Sequence, residues 1–180
     1  DGSEGKMCGN GIRCVGKFLY DHGMVDIKKK DKLDIETLSG IKHLKTNTLD
    51  GEVKSLRVDM GKAILDPKEI PAKMDKDKIV NEPYTIDGEE YNITCVSMGN
   101  PHCVVFIKGD IDNLELDEIG PKFENDKLFP ERVNTEFVKV LDDHTIKMRV
   151  WERGSGETWA CGTGACAAAV AACENGFCNK

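Results

Sequence analysis

The chain of 180 residues contains no run of 18 apolar residues, no Cys-x-x-Cys pair, and no glycine-rich phosphate loop or dinucleotide fingerprint. The first absence removes the usual signal for a membrane-spanning helix, and with no charged-then-apolar leader to read, the cytoplasm is the expected location. The second argues against zinc, because the pairings that do occur (His102-Cys103, Cys161-x4-Cys166, Cys173-x4-Cys178) lack ligand spacing. The third leaves no phosphate anchor for a nucleotide or for a pyridoxal group on a lysine. Positive charge is also in deficit: 25 Lys and Arg stand against 32 Asp and Glu, a net charge of −7. Nucleic acid and anionic membrane surfaces are therefore not expected partners. The cluster Lys28-Lys29-Lys30-Asp31-Lys32 is short and interrupted, and reads as a solvated loop.

What remains is a globular composition, 39% hydrophobic and 32% charged, suited to one large domain or two small ones. The eight cysteines do not have the spacing of a small disulfide-stapled fold. Cys95, Cys103, Cys166, Cys173 and Cys178 read as small buried apolar residues, and Cys14 and Cys166 as packing residues near their helix starts.

Two stretches of the chain share a pattern, with five identities in twenty that cluster at the two ends. Residues 4–23 (EGKMCGNGIRCVGKFLYDHG) align without gaps on residues 157–176 (ETWACGTGACAAAVAACENG). The matched pairs are Glu4/Glu157, Cys8/Cys161, Gly9/Gly162, Gly11/Gly164 and Gly23/Gly176. In each copy a cysteine heads a Cys-Gly-x-Gly turn opening a helix, and a glycine closes it, so the pattern predicts helices over 9–22 and 162–174. In the first, Val15, Phe18, Leu19 and His22 carry the helical spacing. In the second, the alanine run Ala167–Ala172 suggests close packing. Glu4 and Asp1 read as polar residues leading into the helix.

Between the copies, strands are expected at Leu33–Leu38, Ile41–Lys45 and Ser55–Met60, the last with Leu56, Val58 and Met60 on one face. The Pro-, Lys- and Asp-rich stretch Ile64–Glu82 reads as a crossing between halves. Further strands are expected at Tyr84–Ile86, Glu90–Val96 and Val104–Ile107, with Gly99-Asn100-Pro101-His102 as a loop. A short helix near Leu116–Asn125 and a hairpin of Glu136–Leu141 and Thr145–Trp151 across Asp142-Asp143 follow. The whole is an α+β duplication, with residues 1–66 forming part of an N-terminal half and 67–180 a C-terminal half. Both halves are expected to continue beyond this chain, the first with earlier strands and the second with later ones.

A helix N-terminus offers unpaired N–H groups and a partial positive charge, so it binds carboxylates and favours thiolate over thiol. Such a site is expected to lower a cysteine pKa from its usual value of about 8.5 by about one to several units. Two such thiols facing each other across a cleft would place a base on one side of a substrate carbon and an acid on the other. A proton removed from one face and delivered to the other inverts the stereocentre, with the carbanion held by preorganised N–H donors.

Several segments together resemble the diaminopimelate epimerases. They are Met7-Cys8-Gly9-Asn10-Gly11-Ile12-Arg13-Cys14, Gly99-Asn100-Pro101-His102, Arg132-Val133-Asn134, and Trp151-Glu152-Arg153-Gly154-Ser155-Gly156-Glu157-Thr158 leading to Ala160-Cys161-Gly162-Thr163-Gly164. The resemblance implies two pseudo-symmetric halves, each a curved, mostly antiparallel sheet wrapped around a central helix, with the active site in the cleft between them. It implies interconversion of LL- and meso-diaminopimelate for lysine and peptidoglycan precursors, with Cys8 and Cys161 as the acid/base pair. No cofactor or metal is implied. By the same pattern Gly9, Asn10, Gly162 and Thr163 would hold the α-carboxylate, and Asn100, Asn134 and Arg153 the far amino-acid end. Glu152 would meet an ammonium, and His102 and Glu152 would tune the two thiols. A homodimer is the assembly the resemblance suggests.

Each position also has a plainer reading. Asn100 can be a turn former, His102 a structural hydrogen-bonder, Asn134 a strand cap, and Arg153 a surface charge. Proline and hydroxyproline racemases share the paired cysteines, but they carry a histidine after the first Cys-Gly and Ser-Pro before the second Cys, where this chain has Asn10 and Trp159-Ala160. A third reading is a catalytically silent binding domain with ordinary thiols, and a fourth is a redox switch closing Cys8 on Cys161.

Overall fold

The computed structural model describes residues 7–25 and 31–178. Glu4, Asp1 and most of the Lys28–Lys32 cluster lie outside the described residues. The chain divides into two compact units, Gly2–Gly61 and Lys62–Lys180.

The first unit holds helix α1 (Gly9–Asp21) and an antiparallel three-stranded sheet, β1 (Lys32–Thr37), β2 (Gly40–Leu49) and β3 (Glu52–Val58), in that order. The helix buries Ile12 and Gly16. Gly16 is needed because a Cβ there would lie 2.8 Å from Leu56 and 3.0 Å from Leu44. Of the residues whose spacing marks this helix in the sequence, Val15 and Phe18 are exposed, so in this chain the sheet takes the Ile12/Gly16 face instead. Strand β3 is bulged: Thr48 pairs with Val53 and Asn47 with Ser55, leaving Lys54 as the extra residue. The bulge shifts the inward register so that Val53 is buried and Leu56 and Val58 are half-buried. Met60 lies beyond the strand.

The second unit is a six-stranded sheet in sequential order: β4 (Glu82–Ile86), β5 (Glu89–Ser97), β6 (Pro101–Phe106), β7 (Asn134–Val140), β8 (Ile146–Glu152) and β9 (Gly156–Thr158). All neighbours are antiparallel except β6 and β7, which are parallel and are joined through helix α2 (Leu116–Glu124). One face carries Ile93, Cys95, Cys103, Val105 and Phe137, packed with Leu116 and Phe123 of α2. Strand alternation sends Val96, His102, Val104, Asn134 and Glu136 to the other face. Helix α3 (Gly162–Glu174) packs against β5 to β8, burying Ala167, Ala168, Ala171 and Ala172.

Two sequence expectations change here. Pro101 and His102, read as loop, open strand β6; proline fits as the first residue of a strand because its missing N–H falls outside the ladder. The stretch 64–82 is more than a crossing, since Ile70 and Ile79 are fully buried in the core of the second unit and Ile64 bridges to Ser97.

The cysteines divide by environment. Cys95 and Cys103 are opposed across β5 and β6 and are buried, whereas Cys166, Cys173 and Cys178 are only half-buried and Cys14 is exposed. The packing role read for Cys14 is therefore corrected, and Cys173 and Cys178 form a sulfur pair 2.8 Å apart at the end of α3. Among the described residues no helix is long and apolar enough to cross a membrane.

Candidate active site

The repeat in the sequence is a repeat of atomic geometry. Cys8 is the N-cap of α1, in extended backbone, and its Sγ accepts the Gly11 N–H at 3.2 Å. Cys161 is the N-cap of α3, again extended, and its Sγ accepts the Gly164 N–H at 3.3 Å. At the far ends Gly23 and Gly176 take φ of +64° and +75°. The N–H groups of Met24 and Phe177 reach back to Leu19 and Ala172 in the same capping pattern. Each helix is 13 residues long, held between a thiol at one end and a left-handed glycine at the other.

The two thiols differ in surroundings. Cys8 is exposed, while Cys161 keeps 7% of its surface. Burial pushes the Cys161 thiol up to about 11. The hydrogen bonds from Thr163 and Gly164 pull it down, and the negative charges of Glu136 and Glu152 raise it further. The expected lowering at a helix N-terminus is thus overturned at Cys161, because lost hydration outweighs the helix donors.

Around Cys161 the sequence-predicted residues meet in one array. Thr163 Oγ1 lies 3.4 Å from Cys161 Sγ and receives Asn100 Nδ2 at 3.2 Å. The Asn100 Oδ1 is 3.0 Å from His102 Nε2, and His102 Nδ1 is 2.7 Å from Glu136 Oε1. Glu136 was legible only as the start of a strand; nothing in its alternation marked it as a buried carboxylate.

A second cluster holds the turn between β8 and β9. Asn134, buried at the start of β7, donates Nδ2 to the Pro101 carbonyl at 2.8 Å and receives the Arg153 N–H on Oδ1 at 3.0 Å. Arg153 Nη1 donates to the Glu131 carbonyl at 2.9 Å. Glu152 accepts the Thr158 hydroxyl on Oε1. The organising carboxylate is another that the sequence did not single out, Glu124, which receives the Gly154 N–H at 2.8 Å, the Trp151 indole at 2.7 Å and Arg132 Nη1 at 3.2 Å. Arg132 itself adopts φ of +61°, turning the chain into β7.

In the first unit, Gly9 is buried beneath Cys8, and Asn10 accepts Arg13 Nη2 on Oδ1. Gly162, half-buried, occupies the corresponding place in α3. Among the described residues, no group of three or more His, Cys, Asp or Glu is placed to hold a metal ion.

An α+β fold of this kind recurs in solved structures. A hydroxyproline epimerase from Agrobacterium vitis, with trans-4-hydroxy-L-proline bound, superposes with TM-score 0.64 at 16% identity, over 94% of this chain and 53% of its own. A probable proline racemase from Agrobacterium radiobacter K84 gives TM-score 0.68 at 16% identity over the same shares. A Bacillus anthracis phenazine biosynthesis protein of the PhzF family gives 0.56 at 17% identity, over 95% of this chain and 58% of its own. The chain therefore has the fold of these three proteins.

Sequence narrows the class to one family. The diaminopimelate epimerase profile matches residues 1–65 and 94–180. The diaminopimelate epimerase of Acetivibrio thermocellus is 55% identical over 180 residues, all of this chain and 63% of the relative. That of Agathobacter rectalis is 50% identical, over 97% of this chain and 62% of the relative, and that of Methanococcus maripaludis strain S2 is 50% identical over 100% and 64%. The chain belongs to the diaminopimelate epimerase family. It spans under two thirds of the length of these curated relatives.

Proposed function

We propose that this chain carries the two thiol sites of a cofactor-independent isomerase that interconverts LL- and meso-diaminopimelate, supplying precursors of lysine and peptidoglycan. The observation that carries the reading is the duplicated thiol cap. Cys8 and Cys161 each head a Gly-rich helix start and each accept an N–H bond from the glycine three residues on. In the reaction, one sulfur removes the α-proton as thiolate while the other delivers a proton to the opposite face as thiol. A thiol held above its usual range, as at Cys161, is suited to keep its proton until the carbanion develops. The N–H groups of Gly9, Asn10, Gly162 and Thr163 at the two helix starts offer donors to the α-carboxylate, where the developing charge spreads.

The far end of a diaminopimelate carries its own ammonium and carboxylate. Asn134, Glu152 and Arg153 lie together in the second unit, held by Glu124 and the Pro101 carbonyl, and they provide charges of both signs for that end. Asn100, grouped by the resemblance with Asn134 and Arg153 at the far end, bonds Thr163 and His102, and in this reading it supports the Cys161 side together with His102. Glu152 and His102 are the groups read as tuning the thiols. Asn10 after the first Cys-Gly and Trp159-Ala160 before the second cysteine favour this substrate over proline-type imino acids. A small molecule is the partner; assembly as a homodimer, location in the cytoplasm and continuation of both halves beyond residues 1–66 and 67–180 belong to the same reading.

The test is chiral chromatography of LL-diaminopimelate, meso-diaminopimelate, proline and trans-4-hydroxyproline after incubation with the polypeptide extended to the length of the family members. Conversion of diaminopimelate in both directions, with the imino acids untouched, is expected. Conversion of proline or hydroxyproline alone would overturn the substrate assignment.

A further inference from the structure

Glu136 is the most costly residue in the second unit to account for. Its side chain is fully buried, on the sheet face covered by α3. One carboxylate oxygen meets His102 Nδ1 at 2.7 Å, and the other has no hydrogen-bond partner. An isolated carboxylate in such a place costs several kcal/mol, so it is kept neutral or shares its charge with a neighbour. Stability alone gives no reason to retain it, since an apolar residue of similar volume would pack without that penalty.

The hydrogen-bond inventory of the array supplies the reason. Asn100 Oδ1 can only accept, so His102 Nε2, 3.0 Å away, carries a proton. With Nε2 protonated, a single proton lies between His102 Nδ1 and Glu136 Oε1, whichever atom holds it, and the pair has no net charge. The Asn100 Nδ2 can only donate, so Thr163 Oγ1 receives it, which leaves the hydroxyl proton available to Cys161 Sγ 3.4 Å away. From His102 Nε2 onward the links thus run toward the sulfur.

Glycine at 164 belongs to the same arrangement. A Cβ there would stand 2.4 Å from Glu136 Oε1 as well as 3.2 Å from Cys161 Sγ. At Gly11, the counterpart in the first unit, a Cβ would meet only atoms of Cys8 among the described residues. The carboxylate, together with the difference in burial, therefore sets the Cys161 site apart from the Cys8 site.

We propose that Glu136 is a positioning residue of the Cys161 site: by sharing a proton with His102 Nδ1 it holds the ring as an Nε2–H donor, and through Asn100 this aims the Thr163 hydroxyl at Cys161 Sγ. The consequence for catalysis rests on the epimerase reading above; the hydrogen-bond array does not.

Two measurements on the reduced protein without substrate test it. The first is long-range proton–nitrogen NMR of the unaltered protein at neutral pH. His102 Nε2 is expected to be the protonated, hydrogen-bonded nitrogen, and an unprotonated Nε2 would overturn the proposal whatever any variant does. The second is the rate of Cys161 alkylation by iodoacetamide, followed peptide by peptide by mass spectrometry. In Glu136→Leu the ring loses its partner, and the rate is expected to fall about fivefold or more, the worth of one hydrogen bond to a thiolate. Glu136→Gln, whose amide can donate to Nδ1, is expected to stay within about twofold of the unaltered protein on the same energy scale. A folded Glu136→Leu reacting at the unaltered rate, or a Glu136→Gln falling as far as Glu136→Leu, would show that the carboxylate only fills space. Because neither readout involves turnover, failure of the epimerase reading and failure of this one are distinguishable.

Discussion

The indole Nε1–H of Trp151 donates to Glu124 Oε2 at 2.7 Å, tying the end of strand β8 to the last turn of helix α2. The other oxygen of the same carboxylate takes the Gly154 N–H and the Arg132 guanidinium, so Glu124 sets the turn that presents Glu152 and Arg153. Replacing it by alanine leaves the half-buried Trp151 indole and Gly154 N–H without this acceptor. A loss of about 2–4 kcal/mol is expected. Urea unfolding of Glu124→Ala checks this, and the loss should appear with local loosening of residues 151–154 in amide hydrogen exchange.

Trp151 also lies flat over Gly120, where a Cβ would fall 2.3 Å from the ring. Gly120→Ala must move either the indole or the helix, and about 1–3 kcal/mol of overpacking is expected. Gly109→Ala is the control, since a Cβ there meets nothing within 4 Å. Thermal melts of the two variants should separate clearly.

At the thiol caps, Gly164→Ala drives a methyl group into Glu136 Oε1 at 2.4 Å, whereas Gly11→Ala only approaches Cys8 Sγ at 3.3 Å. The former is expected to cost at least about 2 kcal/mol and the latter under about 1 kcal/mol, on the scale of other overpacked sites. Equal costs in the two variants, measured by denaturant titration, would contradict the asymmetry.

The raised Cys161 thiol sets a pH dependence with a definite sign. Its folded value of about 11 lies above that of an unfolded cysteine thiol, so between those values the folded chain holds a proton that the unfolded chain has lost. Stability is therefore expected to fall as pH rises from about 9 toward 11, by up to about 2 kcal/mol. Cys161→Ser should remove that part of the decline, and denaturant midpoints at pH 8 and pH 10.5 for both proteins measure it.

How far the sequence could be read depended on whether a feature has local punctuation. Helices α1 and α3 were legible to within a residue, because each has Cys-Gly-x-Gly at its head and a glycine where the left-handed cap falls. Strand β9 spans three residues and is too short to show a period. Strand β7 begins at Asn134, two residues before the expected start, because buried Asn134 and Thr135 look like loop residues in sequence. The site was half legible for the same reason. Cys8, Cys161, Asn100, His102, Asn134 and Arg153 stand in recognisable short motifs. Glu136 and Glu124 do not, and their importance comes from partners that are remote in sequence: His102 lies 34 residues away from Glu136, and Trp151 27 residues away from Glu124. The thiol environment was misread because helix donors are visible in sequence while burial is not.

In the proposed reaction two cysteines move one proton on each face of the same carbon. The most direct test is proton NMR of LL- and meso-diaminopimelate in heavy water with the polypeptide at the length of its relatives, alongside Cys8→Ala and Cys161→Ala. Loss of the α-proton signal, growth of the other isomer, and disappearance of isomer growth in each single variant is the result expected. Undiminished epimerisation in either alanine variant would contradict the two-thiol account.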